Sequence, residues 1–469
     1  MFVNRKNELE MLEERKSSGK AEFLVIYGRR RVGKSELIDK FLEKQTGIRL
    51  LAREETKLLQ LRNFSEKLAD FFHDEVLAKS PFSGWDAFFE YLAQKSDKRL
   101  IIAIDEFPYL VKEDASLPSI LQDYWDNKLR KTGIFLILCG SSMTMMERLL
   151  GYKSPLYGRR TGQLLIRPFS FAETLEYESD MQKAIEMFSV FGGTPAYLNE
   201  YDSTKALLEN ISKIVMKEDS FIYRDIEFII REELREPRYY FSILLSISKG
   251  KTTIGEIMND TGLDKSIVGK YLSILADLHF IIRNVPATEN IMKSKRGIYL
   301  LSDNMFKFWF RYIYPYKEFI EKNQQAFVAD NFIKPEFNEY VSLVFEDICR
   351  EAVQIMNSKK ILPAVFSKID RQWGRISGRP AGESQYEIDI VALGEKTKDI
   401  LFAECKWQDK VNAAKIFEEL KKKAEFVDWN IGKRNEYFAI FARSFAEKPK
   451  VNGLMLFDLG DLEKLFRQK

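Results

Sequence analysis

Only three cysteines and two histidines occur in 469 residues. The cysteines, Cys139, Cys349 and Cys405, are odd in number and far apart, which argues against a disulfide framework and a zinc cluster and fits a reducing cytoplasm. His73 and His279 stand beside no serine elbow or other nucleophile, so histidine-based chemistry is not expected. No apolar run approaches the roughly 18 residues that a membrane span needs, and the charged opening MFVNRKNELE lacks the apolar stretch of a secretory signal. Neither sign of charge dominates: 73 Lys and Arg against 70 Asp and Glu leave a net charge of +3. Composition therefore predicts no special affinity for nucleic acid or anionic membrane, and basic residues have to be read locally. Internal repeats, low-complexity segments and long linkers are also missing. These absences lead to the expectation of a soluble, cytoplasmic protein with no membrane partner.

What is present is organised. At roughly 150 residues per domain, the length predicts about three domains, each able to bury a core. In FLVIYGRRRVGKSELIDKFL, a β-branched and aromatic run from Phe23 to Tyr27 leads into Gly28 to Ser35 and then into a helical pattern. The spacing from Gly28 through Gly33, Lys34 and Ser35 is GxxxxGK[ST] in a strand–loop–helix context. Such a loop turns successive backbone amides toward phosphate, while Lys34 neutralises β/γ charge and Ser35 offers a hydroxyl to Mg²⁺. ATP and Mg²⁺ are the expected ligands. A second strand, RLIIAIDEF, ends in Asp105 and Glu106. Asp105 is suited to hold Mg²⁺ through water, and Glu106 to polarise the attacking water; a solvated strand end is the plainer reading of Glu106.

A third strand, GIFLILCGSS, ends in Ser141 and Ser142, where P-loop ATPases place a polar γ-phosphate sensor. Six ordered segments, FVNRKNELEMLEE, YGRRRVGKSEL, AIDEF, ILCGSS, LYGRRTGQLLIRPFSF and FGGTPAYL, together resemble the archaeal-type ATPase family within the STAND branch neighbouring AAA+. The resemblance implies that Gly193, Thr194 and Pro195 form a GxP turn of a helical lid near the adenine. It also implies that Arg159 or Arg160 faces the γ-phosphate. From the residues alone, GGTP is a turn signal between helical runs, and the paired arginines suit either phosphate or ordinary surface chemistry.

From about Pro237 the pattern becomes short helices followed by a wing. Gly262 supplies a turn, Asp264 an N-cap, and Ile267, Tyr271, Ile274, Leu275 and Leu278 an apolar face for the third helix. Lys265, Ser266, Gly269, Lys270 and Ser273 lie on its other face, which suits a DNA major groove, with KSKRG (293–297) meeting phosphate. A rigid connector between domains is the alternative. DNA is the expected partner, and a homo-oligomer is left open.

Near the C-terminus, a helix around FNEYVSLVFEDICREAV carries Glu346 and repeats Tyr340, Val344, Ile348 and Ala352 every four residues. Two strands follow, YEIDIVAL with Asp389 and DILFAECKW with Glu404 and Lys406. Two carboxylates can hold a divalent cation that activates water against a phosphodiester, with Lys406 orienting the nucleophile. A buried salt-bridge cluster is the alternative. The arrangement resembles the PD-(D/E)xK nuclease superfamily, with Ile388 in place of the proline and Glu346 on the preceding helix. That resemblance implies a metal set of Asp389, Glu404 and Glu346.

The expected architecture is a multidomain α/β chain. It comprises a P-loop NTPase parallel sheet (1–180), a helical lid (181–236), a winged helix-turn-helix (237–300), aromatic-rich connecting helices (301–335) and a restriction-endonuclease-like domain (336–469).

Overall fold

The computed structural model describes residues 3–234, 236–376, 378, 380 and 384–468. The chain forms two compact units, Met1–Pro168 with Thr194–Ala196 and Phe169–Gly193 with Tyr197–Lys469. Among the described residues, no helix is long and apolar enough to cross a membrane.

The first unit is built on five strands: β1 (Glu22–Tyr27), β2 (Gly47–Leu51), β3 (Leu100–Asp105), β4 (Ile134–Gly140) and β5 (Gly162–Leu165). Their order is β2-β3-β4-β1-β5, and every pairing is parallel. Every residue of β1, β3 and β4 is buried. Continuous apolar runs are what a sheet covered on both faces requires, and these strands read that way rather than alternating. Leu24, Ile26, Ile101, Ala103, Ile137 and Cys139 form one core with Leu37, Ile38 and Phe41 of the Lys34–Leu42 helix. A parallel sheet aligns its carboxyl ends, so the loops after β1, β3 and β4 open on one edge.

The second unit contains the helices Met181–Phe191 and Phe221–Glu233, then a three-helix segment of Pro237–Ser248, Ile254–Thr261 and Lys265–Asp277. The segment ends in the hairpin β6 (Ile281–Asn284) and β7 (Ile298–Leu301). Gly262 takes φ +68 at the helix turn. The third helix buries Val268, Tyr271, Leu272 and Leu275, while Ile267 and Ile274 are half-buried. Its apolar face is thus rotated from the one expected at Ile267 and Ile274, but Lys265, Ser266, Lys270 and Ser273 remain exposed. The aromatic run after β7 is packing, with Phe308, Trp309, Phe310 and Tyr312 all buried.

A second sheet, ordered β14-β12-β10-β9-β8, contains β8 (Lys368–Arg375), β9 (Gln385–Gly394), β10 (Asp399–Lys406), β12 (Asn435–Ala442) and β14 (Leu454–Phe457). Strands β8, β9 and β10 form an antiparallel meander; β10, β12 and β14 are parallel. A small parallel pair, β11 (Val411–Asn412) and β13 (Phe445–Glu447), lies apart from this sheet. The Phe337–Ser358 helix buries Tyr340, Val344, Ile348 and Ala352, the expected stripe, with Val341, Phe345 and Cys349 beside it. Leu420 and Ala424 of the Ala413–Ala424 helix join the core formed by Ile388, Val391, Ile400 and Phe402. Part of the polar stretch between β8 and β9 lies outside the described residues.

The segment between β6 and β7 pairs with the edge of this sheet. Ala287 N donates to Arg371 O at 2.9 Å, and Thr288 N to the Gln372 side-chain oxygen at 3.2 Å. An exposed sheet edge is a template for unwanted pairing, and this contact covers part of β8.

Candidate functional sites: a nucleotide loop and a carboxylate pair

The loop after β1 is shaped by close packing. A Cβ at Gly28 would meet Ile166 O at 2.3 Å, so only glycine fits there, and Gly33 caps the next helix at φ +87, where a side chain is strained. Arg5, 4% exposed, ties the loop to the exit of β5, donating to Val32 O at 2.9 Å and to Arg167 O at 2.7 Å. Lys34 Nζ donates to Gly28 O and Arg29 O, both at 2.9 Å. Burial pulls this ammonium below the ordinary lysine range, opposed by Cys139, Glu106 and Asp105 nearby.

Strands β3 and β4 bring three further groups to the loop. Ser35 Oγ donates to Asp105 Oδ2 at 2.7 Å, and Glu106 N donates to Asp105 Oδ1 at 3.0 Å. Glu106 sits at φ +53, a left-handed conformation rare for glutamate, where the Phe107–Glu113 helix begins. Its Oε2 accepts from Ser141 Oγ at 2.9 Å and Ser141 N at 3.2 Å. The structure therefore joins Lys34, Ser35, Asp105, Glu106 and Ser141 in one polar cluster at the carboxyl edge of the sheet. The hard oxygens of Ser35 and Asp105, so close together, fit Mg²⁺.

Two further expectations have different outcomes. Thr194 and Pro195 are buried, with Pro195 opening the short Pro195–Leu198 helix. Arg159 and Arg160 are not brought to the loop. The turn that carries them leads into β5, where Thr161 N donates to Phe23 O at 2.8 Å, at the opposite end of β1 from Gly28. Arg159 pairs with Asp126 at 2.8 Å, and Arg160 donates to Leu150 O at 2.9 Å. Parallel alignment of β5 with β1 is the physical reason: residues before β5 lie at the amino edge of the sheet.

Sequence reasoning missed Arg49. It lies on β2, donates to Asp39 through Nε (2.6 Å) and Nη2 (2.9 Å), and reaches Asp105 Oδ2 through Nη1 at 3.0 Å. Its only signal was a lone charge in GIRLL.

In the second unit, the β9–β10 ladder runs from Asp399↔Gly394 to Ala403↔Ile390 and stops one residue before Asp389 and Glu404. There Asp389 Oδ2 accepts from Cys405 N at 2.8 Å. Glu404, 3% exposed, receives Lys406 Nζ at 2.8 Å and Lys423 Nζ at 2.7 Å, one on each oxygen. Burial, reinforced by repulsion from Glu404, pushes Asp389 up to about 6. Glu346 is ion-paired with Arg371, which also lies 3.5 Å from Glu387. Burial pushes Glu346 up, against the pull of Arg371 and with the help of Asp389. Burial and the neighbouring Cys349 of the long helix push the Cys405 thiol up, with Asp389 and Glu346 acting in the same direction. Among the described residues, no group of three or more Asp, Glu, His or Cys is arranged to hold a metal ion. The oxygens of Asp389 and Glu404 are of the hard type that holds a divalent cation, but a lysine sits on each oxygen of Glu404 and Arg371 engages Glu346, so the expected set of Asp389, Glu404 and Glu346 is ion-paired and not assembled around a metal position. Lys423 stood unmarked within a run of three lysines, and Arg371 within the polar stretch DRQWGR.

Residues 2–201 match the family model described as an ATPase domain predominantly from Archaea. Residues 242–282 match the arsR family of bacterial regulatory proteins, a helix-turn-helix, and residues 309–417 match archaeal and bacterial proteins of unknown function. The uncharacterised protein MJECL04 of Methanocaldococcus jannaschii is 37% identical over 467 residues, 98% of this chain and 100% of its own. A 45-residue stretch, 10% of this chain, is 60% identical to 76% of the uncharacterised ATP-binding protein MJ0423 of the same organism. Among solved structures, the Walker-type ATPase PABY2304 of Pyrococcus abyssi is similar at 20% identity and TM-score 0.48, covering 66% of this chain and 96% of that one. The ORC2 protein of Aeropyrum pernix is similar at 13% identity and TM-score 0.41, covering 71% and 94%.

Proposed function

This chain belongs to the same family as MJECL04 and carries an archaeal-type ATPase domain, and from that premise we propose an ATP-hydrolysing regulator that controls a C-terminal DNA nuclease site. The observation that carries the ATPase half is the cluster of Ser35, Asp105, Glu106 and Ser141, linked by bonds of 2.7–3.2 Å beside Lys34. ATP lies along the loop from Gly28 to Ser35, with its terminal phosphates against the backbone amides and Lys34. Ser35 and Asp105 are the residues that would hold Mg²⁺, which when bound would supply neutralisation of phosphate charge. Glu106 leaves Ser141 to orient the attacking water, and Ser141 then bonds the γ-phosphate. Pro195 lies near the adenine. Phosphate release measured with Mg²⁺ tests this half: Asp105→Asn should lose it, and retention by that variant would overturn the assignment.

The nuclease half rests on Asp389, half-buried, and Glu404, buried, two carboxylates placed where β9 and β10 part. In this reading they hold a divalent cation, whose chemistry is to activate water and stabilise charge on a scissile phosphate. Lys406 orients the nucleophile, and Glu346, held by Arg371, keeps the carboxylates in place. The helix-turn-helix brings DNA to the chain through Lys265 and Lys270. Plasmid cleavage with and without Mg²⁺ and ATP is the test. No cleavage under any combination would leave a nucleotide-gated DNA-binding scaffold as the surviving reading.

A further inference from the structure

Asp105 is almost fully buried, at 1% side-chain exposure, and a buried carboxylate needs a counter-charge. In this structure the counter-charge comes from β2, outside the P-loop. Arg49 places Nη1 at 3.0 Å from Asp105 Oδ2, the same oxygen that accepts from Ser35 Oγ at 2.7 Å. That oxygen faces the space between Ser35 and Asp105, which is the proposed cation position. The rest of the guanidinium forks onto Asp39 of the Lys34–Leu42 helix, whose side chain is half exposed (52%). One arginine thus bridges an exposed carboxylate and a buried one, and its charge is divided between them.

We propose that Arg49 is a positioning residue that competes with the divalent cation for Asp105 Oδ2, and that Asp39 sets the strength of this competition by drawing the guanidinium outward. The inference rests on the reading of Asp105 as the metal carboxylate. A cation entering beside Asp105 meets a fixed positive charge already bonded to its ligand, so metal entry requires Arg49 to shift onto Asp39. The Asp39 fork gives Arg49 a bidentate, charge-assisted alternative partner of its own. Nucleotide that arrives with its metal therefore displaces a contact inside the protein, and Arg49 is freed at the moment the site is filled.

The test is direct binding of Mn²⁺ to the full chain with a non-hydrolysable ATP analogue, read by electron paramagnetic resonance. An Asp389→Ala background removes the C-terminal carboxylate pair from the titration. Arg49→Gln should tighten Mn²⁺ by about tenfold, the scale of losing one charge-assisted contact. Asp39→Asn should weaken it, because Arg49 then falls wholly on Asp105. The double variant should bind as Arg49→Gln does, since Asp39 acts through Arg49. Arg49→Lys, which keeps the charge but cannot fork onto Asp39, should bind Mn²⁺ no more tightly than wild type and guards against a folding artefact. Unchanged or weaker Mn²⁺ binding in Arg49→Gln would overturn the proposal, as would additive effects in the double variant. If Asp105→Asn leaves Mn²⁺ binding unchanged, the metal-carboxylate reading itself fails, whatever Arg49 does.

Discussion

Replacing Glu106 by glutamine separates nucleotide binding from hydrolysis, because the substitution preserves shape and removes only the charge and the basic oxygen. Glu106 Oε2 accepts two hydrogen bonds from Ser141, at 2.9 and 3.2 Å. Glutamine can still accept them, so the loss is that of charge-assisted bonds becoming neutral, about 1 kcal/mol. The left-handed backbone at φ +53 is no more strained for glutamine than for glutamate. Folding and ATP affinity should therefore move little. Hydrolysis should fall by roughly 10²- to 10⁴-fold, the usual contribution of a positioned general base, which raises the barrier by about 3–5 kcal/mol. Phosphate release under single-turnover conditions, beside equilibrium binding of a fluorescent nucleotide, gives both numbers on one preparation. Phosphate release within about threefold of wild type would refute the role given to Glu106.

Three other outcomes follow from the same contacts. Gly28→Ala should impair both stability and nucleotide binding, since its Cβ would sit 2.3 Å from Ile166 O; a thermal midpoint equal to wild type would contradict the packing described. Lys265→Ala with Lys270→Ala should weaken duplex DNA binding across sequences and reduce the salt slope by about 2, as expected for two phosphate contacts, and an unchanged slope would make that helix a connector. At the second sheet, Asp389 is raised to about 6 by burial and Glu404, so the fold favours its protonated form. Its contribution to stability is fully present below the unfolded carboxylate pKa, near 4, and is lost as pH rises through about 6. Asp389→Asn should flatten the pH dependence of the thermal midpoint over that window, and Mn²⁺ anomalous density between Asp389 and Glu404 should be present in wild type and lost in the variant.

The parts legible in the sequence are those whose neighbours in space are also neighbours in the chain. The loop from Gly28 to Ser35 declares itself because strand, glycines, lysine and helix are contiguous, and the ends of β3 and β4 because long apolar runs stop at polar residues. Parallel pairing then brings Asp105, Glu106 and Ser141 to one edge without further instruction. Tyr340, Val344, Ile348 and Ala352 were readable for the same reason, as one stripe of a single helix. Contacts between distant elements were not. Arg49 meets Asp105 across 56 residues, and Lys423 meets Glu404 from a helix in which three adjacent lysines look alike. Arg371 lies at an irregularity of β8, where the ladder with β9 shifts between Asp370 and Gln372. The third helix turned its buried face toward Val268 and Leu272 because it packs against several neighbours, which a single apolar stripe does not express. Arg159 and Arg160 looked like phosphate ligands by type, but the direction of β5 places their turn at the other edge of the sheet.

Calorimetric titration of ATP with Mg²⁺ into the wild-type chain and into Lys34→Ala addresses the central claim most directly. Lys34 is buried within the loop it closes and donates to two loop carbonyls, each at 2.9 Å. Wild type should bind, and the variant should lose about a hundredfold or more in affinity, as expected when the charge facing the β- and γ-phosphates is removed. Equal affinity in the two proteins would contradict the account.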